Sequence, residues 1–139
     1  MTRLLVVPCG RAKLNHPAAA RLLYRSAHFR FVLAGVERAA VGAPVRILSA
    51  LHGLVSPDTV LAPYDVTMGD SGSVVADRLA AQLAAEHARE VVAYLPRAYL
   101  ARLAEAAALT GECVVRDAYD GCRGIGEQRA VITRLNARK

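Results

Sequence analysis

The chain has 139 residues, 54% of them hydrophobic but only 5% aromatic, and a formal charge of +6 from 18 Lys and Arg against 12 Asp and Glu. A single domain of this size buries roughly two thirds of its unfolded surface, and an apolar content supplied by Ala, Leu and Val excludes a disordered chain. No apolar run approaches the ~20 residues of a membrane span, so no membrane partner is expected.

The first apolar run, Leu4, Leu5, Val6 and Val7, is closed by Pro8 and reads as a buried parallel strand near the centre of a sheet. It is too short for a signal sequence. With three cysteines, Cys9, Cys113 and Cys122, in no paired framework, a reducing cytoplasm without structural disulfides is the expected setting. After a loop over residues 9–13, Asn15 or His16 can cap a helix with Pro17 in its first turn and Ala18, Leu22, Leu23 and Tyr24 facing inward. Ser26 restarts the helix, and Phe29, Val32, Leu33 and Val36 keep the 3.6-residue period until Gly42 and Pro44 stop it. Residues 45–48 form a second strand, reached by a right-handed crossover.

Residues 49–73 show almost no periodicity, and a loop of that length in a compact chain reads as functional. Asp70, Ser71 or Ser73 then caps a helix carrying Val74, Val75, Leu79 and Leu83. Its alanine-rich flanks allow close packing against the sheet or against a second copy in a homodimer. Residues 91–95 make a third strand ended by Pro96, and an alanine-rich helix with Leu100, Leu103 and Leu109 runs to Thr110 and Gly111. A short fourth strand over residues 113–115 suits a sheet edge. A glycine-rich turn over residues 120–126 leads into a last helix, apolar at Val131, Ile132 and Leu135 and basic at Arg129, Arg134, Arg138 and Lys139. These units predict one α/β domain over residues 1–139, a three-layer sandwich around a mainly parallel four-stranded sheet. In such a sheet the strand ends at residues 8–13, 49–53, 94–97 and 119–126 converge on one crevice.

Cys9, at the first of these ends, has two readings: a thiolate nucleophile stabilised by nearby cations and a helix N-terminus, or a small packing residue. Arg11 and Lys13 suit an anion, and Gly10 lets a ligand approach the backbone. His52, beside Gly53, can serve as general acid, general base or donor to a departing base, or can satisfy a loop carbonyl. Asp58 and Asp65 are its candidate partners in activating water, although Asp58 after Pro57 also suits an Asx turn. Tyr64 offers a ring for stacking and a polar tip. In the glycine-rich turn, Arg123 is the anion contact and Gly124 a close-approach position. That turn has neither the chain position of a dinucleotide fingerprint nor a Walker lysine and hydroxyl, so no cofactor is expected. Cys9, Cys122 and His52 lack ligand spacing, so no metal is expected either.

The ordered set Cys9 to Lys13, Leu23-Tyr24, Phe29, Ser49-Ala50, His52-Gly53-Leu54, Pro57 and Pro63-Tyr64-Asp65 resembles an uncharacterised bacterial and phage domain family, distantly similar to the peroxide-stress YaaA proteins. The resemblance runs from Val6 to about Gly124 and implies DNA binding in the cytoplasm. A fainter likeness, through Pro8-Cys9, Lys13, Tyr24, Ser26 and His28, is to archaeosine synthase, which acts on a modified deazaguanine base in transfer RNA. The resulting expectation is an enzyme processing a nucleoside, nucleotide or nucleic-acid base, with N-glycosidic cleavage or transfer as the favoured reaction. The alternative is a non-enzymatic DNA- or RNA-binding stress-response protein that uses Arg129, Arg134 and Arg138 on phosphate backbone.

Overall fold

The computed structural model describes residues 2–137; Arg138 and Lys139, expected to extend the basic end of the last helix, lie outside them. In chain order the elements are β1 (Thr2–Pro8), β2 (Ala18–Ala19), α1 (Ala20–Leu23), α2 (Ala27–Ala39), β3 (Val45–Ser49), β4 (Gly53–Val55) and β5 (Val60–Leu61), then α3 (Ala76–Ala85), β6 (Ala88–Ala93), α4 (Arg97–Thr110), β7 (Val114–Asp117) and α5 (Ile125–Ala137).

β1 is central because both of its faces are apolar. Leu4 and Val6 point into a core formed with Leu79 and Leu83 of α3 and Leu103 of α4. Leu5 and Val7 point the other way, onto Phe29, Val32 and Val36 of α2 and Ile132 of α5. Two-residue alternation thus feeds two helical layers, giving the α/β sandwich. β3, β1, β6 and β7 run parallel in that spatial order. A fifth strand, β4, joins antiparallel at one edge, pairing Ser49 with Gly53 and Ile47 with Val55. Among the described residues no helix is long and apolar enough to cross a membrane.

The fifth strand lies inside the segment expected to lack structure. Gly53, at φ +76, takes the left-handed conformation that closes the turn after β3. Gln82 of α3 clamps that turn, donating to the His52 carbonyl at 3.0 Å and accepting from the Leu54 amide at 2.8 Å. The helix expected to start at Pro17 is reduced to the single turn of α1, because the chain ahead of it pairs with the long loop instead. Ala18 and Ala19 face Leu61 and Val60, and the Ala20 and Arg21 amides donate to the carbonyls of Thr59 and Pro57, both at 2.8 Å. α2 starts as expected, with Ser26 Oγ accepting from the Phe29 amide at 3.0 Å. α3 has no side-chain cap: its N-cap is Val75, and the Ser73 hydroxyl donates within its own turn to the Asp70 carbonyl at 2.7 Å.

From β1 the chain crosses through α2 to β3 on one side, whereas β6 and β7 lie on the other. The strand order therefore reverses between β1 and β6, and the crevice beyond their C-terminal ends is where doubly wound sheets hold ligands.

Candidate functional site

The β1 ladder continues one residue past the strand, since the Cys9 amide donates to the Leu48 carbonyl at 3.1 Å. This fixes Cys9 at the sheet end, half-buried, with Sγ 3.4 Å from the Tyr99 hydroxyl of α4. The loop that follows folds back on the segment after α1. Lys13 bridges Tyr24, with the Leu14 amide donating to Leu23 and the Arg25 amide to Ala12, both at 2.9 Å. Lys13 Nζ donates to the Arg11 carbonyl at 3.1 Å and stands 4.3 Å above the centre of the Tyr64 ring.

Beside Cys9 runs a chain of hydroxyls. The amides of Leu51 and His52 donate to Ser49 Oγ at 3.2 and 3.0 Å, which leaves the Ser49 hydrogen for Tyr64 Oη at 2.7 Å. Tyr64 in turn donates to Tyr24 Oη at 2.6 Å, so the Tyr24 hydrogen stands at the end of the chain. Burial pushes Tyr24 up to about 12 and raises Tyr64 and Tyr99 as well, and charge on the neighbouring Cys9 sulfur adds to the rise in all three. These phenols are neutral donors at physiological pH. His52 meets the Tyr64 ring edge-on, with centroids 5.6 Å apart. Burial first and then Arg78 lower its pKa, so its imidazole is uncharged at neutral pH.

On the other side of the same loop, between the ends of β1 and β6, opens a crevice of about 400 Å³. Pro8, Cys9, Gly10 and Arg11 form one wall, and Phe29, Tyr94 and Tyr119 give it an aromatic lining. His28 and Gln128 stand at the first turns of α2 and α5. Tyr94 and Tyr119 pack edge to face, with centroids 5.9 Å apart. A wider recess of about 520 Å³ lies at the opposite end of the sheet, near the start of β6. It is walled by three alanines of α3 together with His87, Arg89, Thr110 and Glu112, and it lies away from Cys9 and the tyrosines.

Residues 4–134 match a family described as a family of unknown function, DUF6884. The chain belongs to that family. The matched span includes every candidate residue from Cys9 to Gly124 but brings no activity with it, and it does not connect the chain to the YaaA proteins or to archaeosine synthase. No curated protein and no solved structure matches.

Of the residues singled out in the sequence, the fold gathers Cys9, Gly10, Arg11, Lys13, His52 and Tyr64 around the β1 and β3 ends. Asp58 stands apart: it accepts from Arg21 Nε at 2.9 Å, while the same guanidinium grips Glu37 with two further bonds of 2.9 and 3.1 Å. Asp65 is exposed, next in sequence to Tyr64. Arg123 and Gly124 are exposed in the turn before α5 and do not line the crevice. Arg129 reaches back to α2, donating to His28 Nδ1 at 3.3 Å and stacking 4.9 Å over Phe31, whereas Arg134 is exposed. Among the described residues no three of His, Cys, Asp or Glu converge to hold a metal ion.

Sequence reasoning missed Ser49, Tyr94, Tyr99 and Tyr119 as site residues. The available signal was the tyrosines as a set. The chain has five, Tyr24, Tyr64, Tyr94, Tyr99 and Tyr119, and all five border Cys9 or line the crevice beside it.

Proposed function

We propose that this chain is a small enzyme acting on a nucleoside, nucleotide or nucleic-acid base, with the reacting group bound over Cys9. The observation that supports this most strongly is the meeting at one sheet end of a half-buried thiol, a lysine, a hydrogen-bonded chain of neutral hydroxyls and an aromatic crevice. Aromatic walls suit a heterocycle. The likeness to archaeosine synthase favours a base, and the Lys13–Tyr24 bridge adds support, since it brings together two motif members that lie eleven positions apart in the chain.

Cleavage or exchange at an N-glycosidic bond fits this set of groups. The C1′–N bond breaks, its electron pair passes to the base, and water or an incoming base completes C1′. Lys13 is the donor for the departing base and His52, uncharged at neutral pH, the proton acceptor, while Tyr24, whose side chain is fully buried, holds the hydroxyl chain in place. Asp65 is the exposed carboxylate free to orient water, because Asp58 is held by Arg21. The competing reading, a nucleic-acid-binding module using α5, is weakened by the ties that hold Arg129 to α2. Turnover of a panel of nucleosides, nucleotides and modified bases tests the proposal. Base release that disappears in Cys9→Ala and Tyr64→Phe supports it, and no turnover and no ligand-dependent thermal shift across the panel removes it.

A further inference from the structure

Two sets of donors border the crevice without an acceptor among the described residues. One is the Tyr119 hydroxyl. Tyr119 lines the crevice at 7% exposure, and its buried oxygen has no hydrogen-bond partner. Burial raises its pKa, so it is a neutral donor. A buried phenol without a partner costs free energy unless something else receives its hydrogen. Asn136 Oδ1 is the other such atom among the described residues, but Asn136 lies between α2 and α5, where its amide nitrogen donates to Gly35 and Ile132.

The other set is the first turn of α2, a helix of 13 residues whose Ser26 and His28 line the same crevice. Ser26 Oγ takes the Phe29 amide, and the Ser26 carbonyl takes the Arg30 amide at 3.1 Å. The amides of Ala27 and His28 precede the first helical acceptor and have none within the helix. They sit at the positive end of its dipole. Arg11 lines the crevice as well, is exposed, and takes part in none of the ion pairs among the described residues. Among the described residues no acidic side chain lines the crevice. Two amides and a forked guanidinium match a group with several terminal oxygens.

We infer that the crevice binds a phosphate monoester carried on a planar ring, of the build of a nucleoside 5′-monophosphate. The phosphate sits at the first turn of α2 beside Arg11, the ring lies among Phe29, Tyr94 and Tyr119, and an acceptor on the ring or its linker takes the Tyr119 hydrogen. This rests on the reading of the crevice given above and narrows its ligand to the phosphorylated form.

Calorimetric titration of the full chain with the four common 5′-monophosphates, the parent nucleosides and inorganic phosphate tests it. The expected result is a monophosphate that binds at least about tenfold tighter than its nucleoside. Arg11→Ala removes most of that difference and leaves the nucleoside affinity unchanged. Tyr119→Phe, which loses only the orphan oxygen, weakens nucleoside and monophosphate alike by about tenfold without lowering Tm. Equal affinity for nucleoside and monophosphate overturns the phosphate assignment and leaves the base-processing reading standing. Phosphate binding as tightly as the monophosphates, with Tyr119→Phe silent, overturns the ring placement. Binding by none of the monophosphates overturns the inference outright, and base release on the wider panel then decides the broader reading by itself.

Discussion

The loop after β1 and the loop after β7 leave the same end of one sheet, and each carries a cysteine, glycine and arginine, yet only the first is enclosed. Residues 9–13 are tied on every side: to β3 through the Cys9 amide, to α4 through Tyr99, and to the segment after α1 through the Lys13–Tyr24 bridge. Residues 118–126 are held chiefly by their own short turns, with the Asp120 amide donating to Asp117 and the Cys122 amide to Tyr119. A side chain added at Gly121, Gly124 or Gly126 would meet nothing within 4 Å. The difference follows from strand position. β1 has neighbours on both sides, so its terminal loop is walled by the ends of β3 and β6, whereas β7 is an edge strand with one. Composition made the two loops look alike, and sheet order separates them. The link from the second loop to the site is Tyr119 at its start, not the arginine and glycines further along.

Substitution of the paired residues gives the largest contrast. Cys9→Ala, which removes the thiol from beneath the bound reacting group, is expected to lower kcat/KM for base release by about tenfold or more. Cys122→Ala and Arg123→Ala are expected to leave it within about twofold by the same assay. Comparable losses from both loops would erase the distinction.

Next in size is the contrast between two tyrosines. Tyr64→Phe removes the link between Ser49 and Tyr24, leaving buried hydroxyls unsatisfied, and should cost about 1–3 kcal/mol of stability in urea unfolding. Tyr119→Phe removes an oxygen with no protein partner and should leave the urea midpoint unchanged or raised. A smaller effect is expected at Gly121, whose φ of +82 disfavours any side chain. Gly121→Ala should cost about 1 kcal/mol in the same measurement while leaving ligand affinity intact.

The smallest expected effect is pH dependence. Burial lowers the pKa of both His28 and His52, with Arg129 and Arg78 respectively adding to it. The unfolded chain therefore takes up protons first as pH falls below about 6.5, and the native state loses stability from there down through the lowered folded values. Tm should be flat from pH 8 to about 7 and fall toward pH 5, with a shallower fall in the His28→Gln, His52→Gln double variant. An identical slope in that variant would assign the acid sensitivity to other groups.

The parts of the fold legible in sequence were those with a long or doubly buried pattern. Leu4, Leu5, Val6 and Val7 announce a central strand because both faces are covered, and the spacing of Phe29, Val32, Leu33 and Val36 announces α2 after its Ser26 cap. The parts that were not legible are short and depend on distant partners. β2 and β5 are two residues each and exist through their pairing with one another, and that pairing diverts the chain ahead of α1 from the helix expected there. The site divides in the same way. Cys9, Lys13, His52 and Tyr64 stand out by residue type and by their place after strands. Tyr24 reads as the inward face of a helix, and its role arises when Tyr64, itself held by Ser49, reaches it; nothing in the sequence singles out Tyr99, whose role arises when Cys9 reaches it from the end of β1. Asp58 has the residue type of a catalytic acid, but its carboxylate is engaged by an arginine 37 positions away.

The central claim is that Cys9, alone among the three cysteines, stands in a ligand site. All three are free and partly buried, so exposure does not separate them, and burial raises the pKa of Cys113. Alkylation by iodoacetamide, followed by peptide mass spectrometry with and without a bound base or nucleotide, measures the difference directly. The account predicts that Cys9 is modified fastest, that Tyr99→Phe slows its modification, and that ligand protects Cys9 while leaving Cys113 and Cys122 unchanged. Equal labelling of all three cysteines, or labelling of Cys9 that no ligand alters, would contradict it.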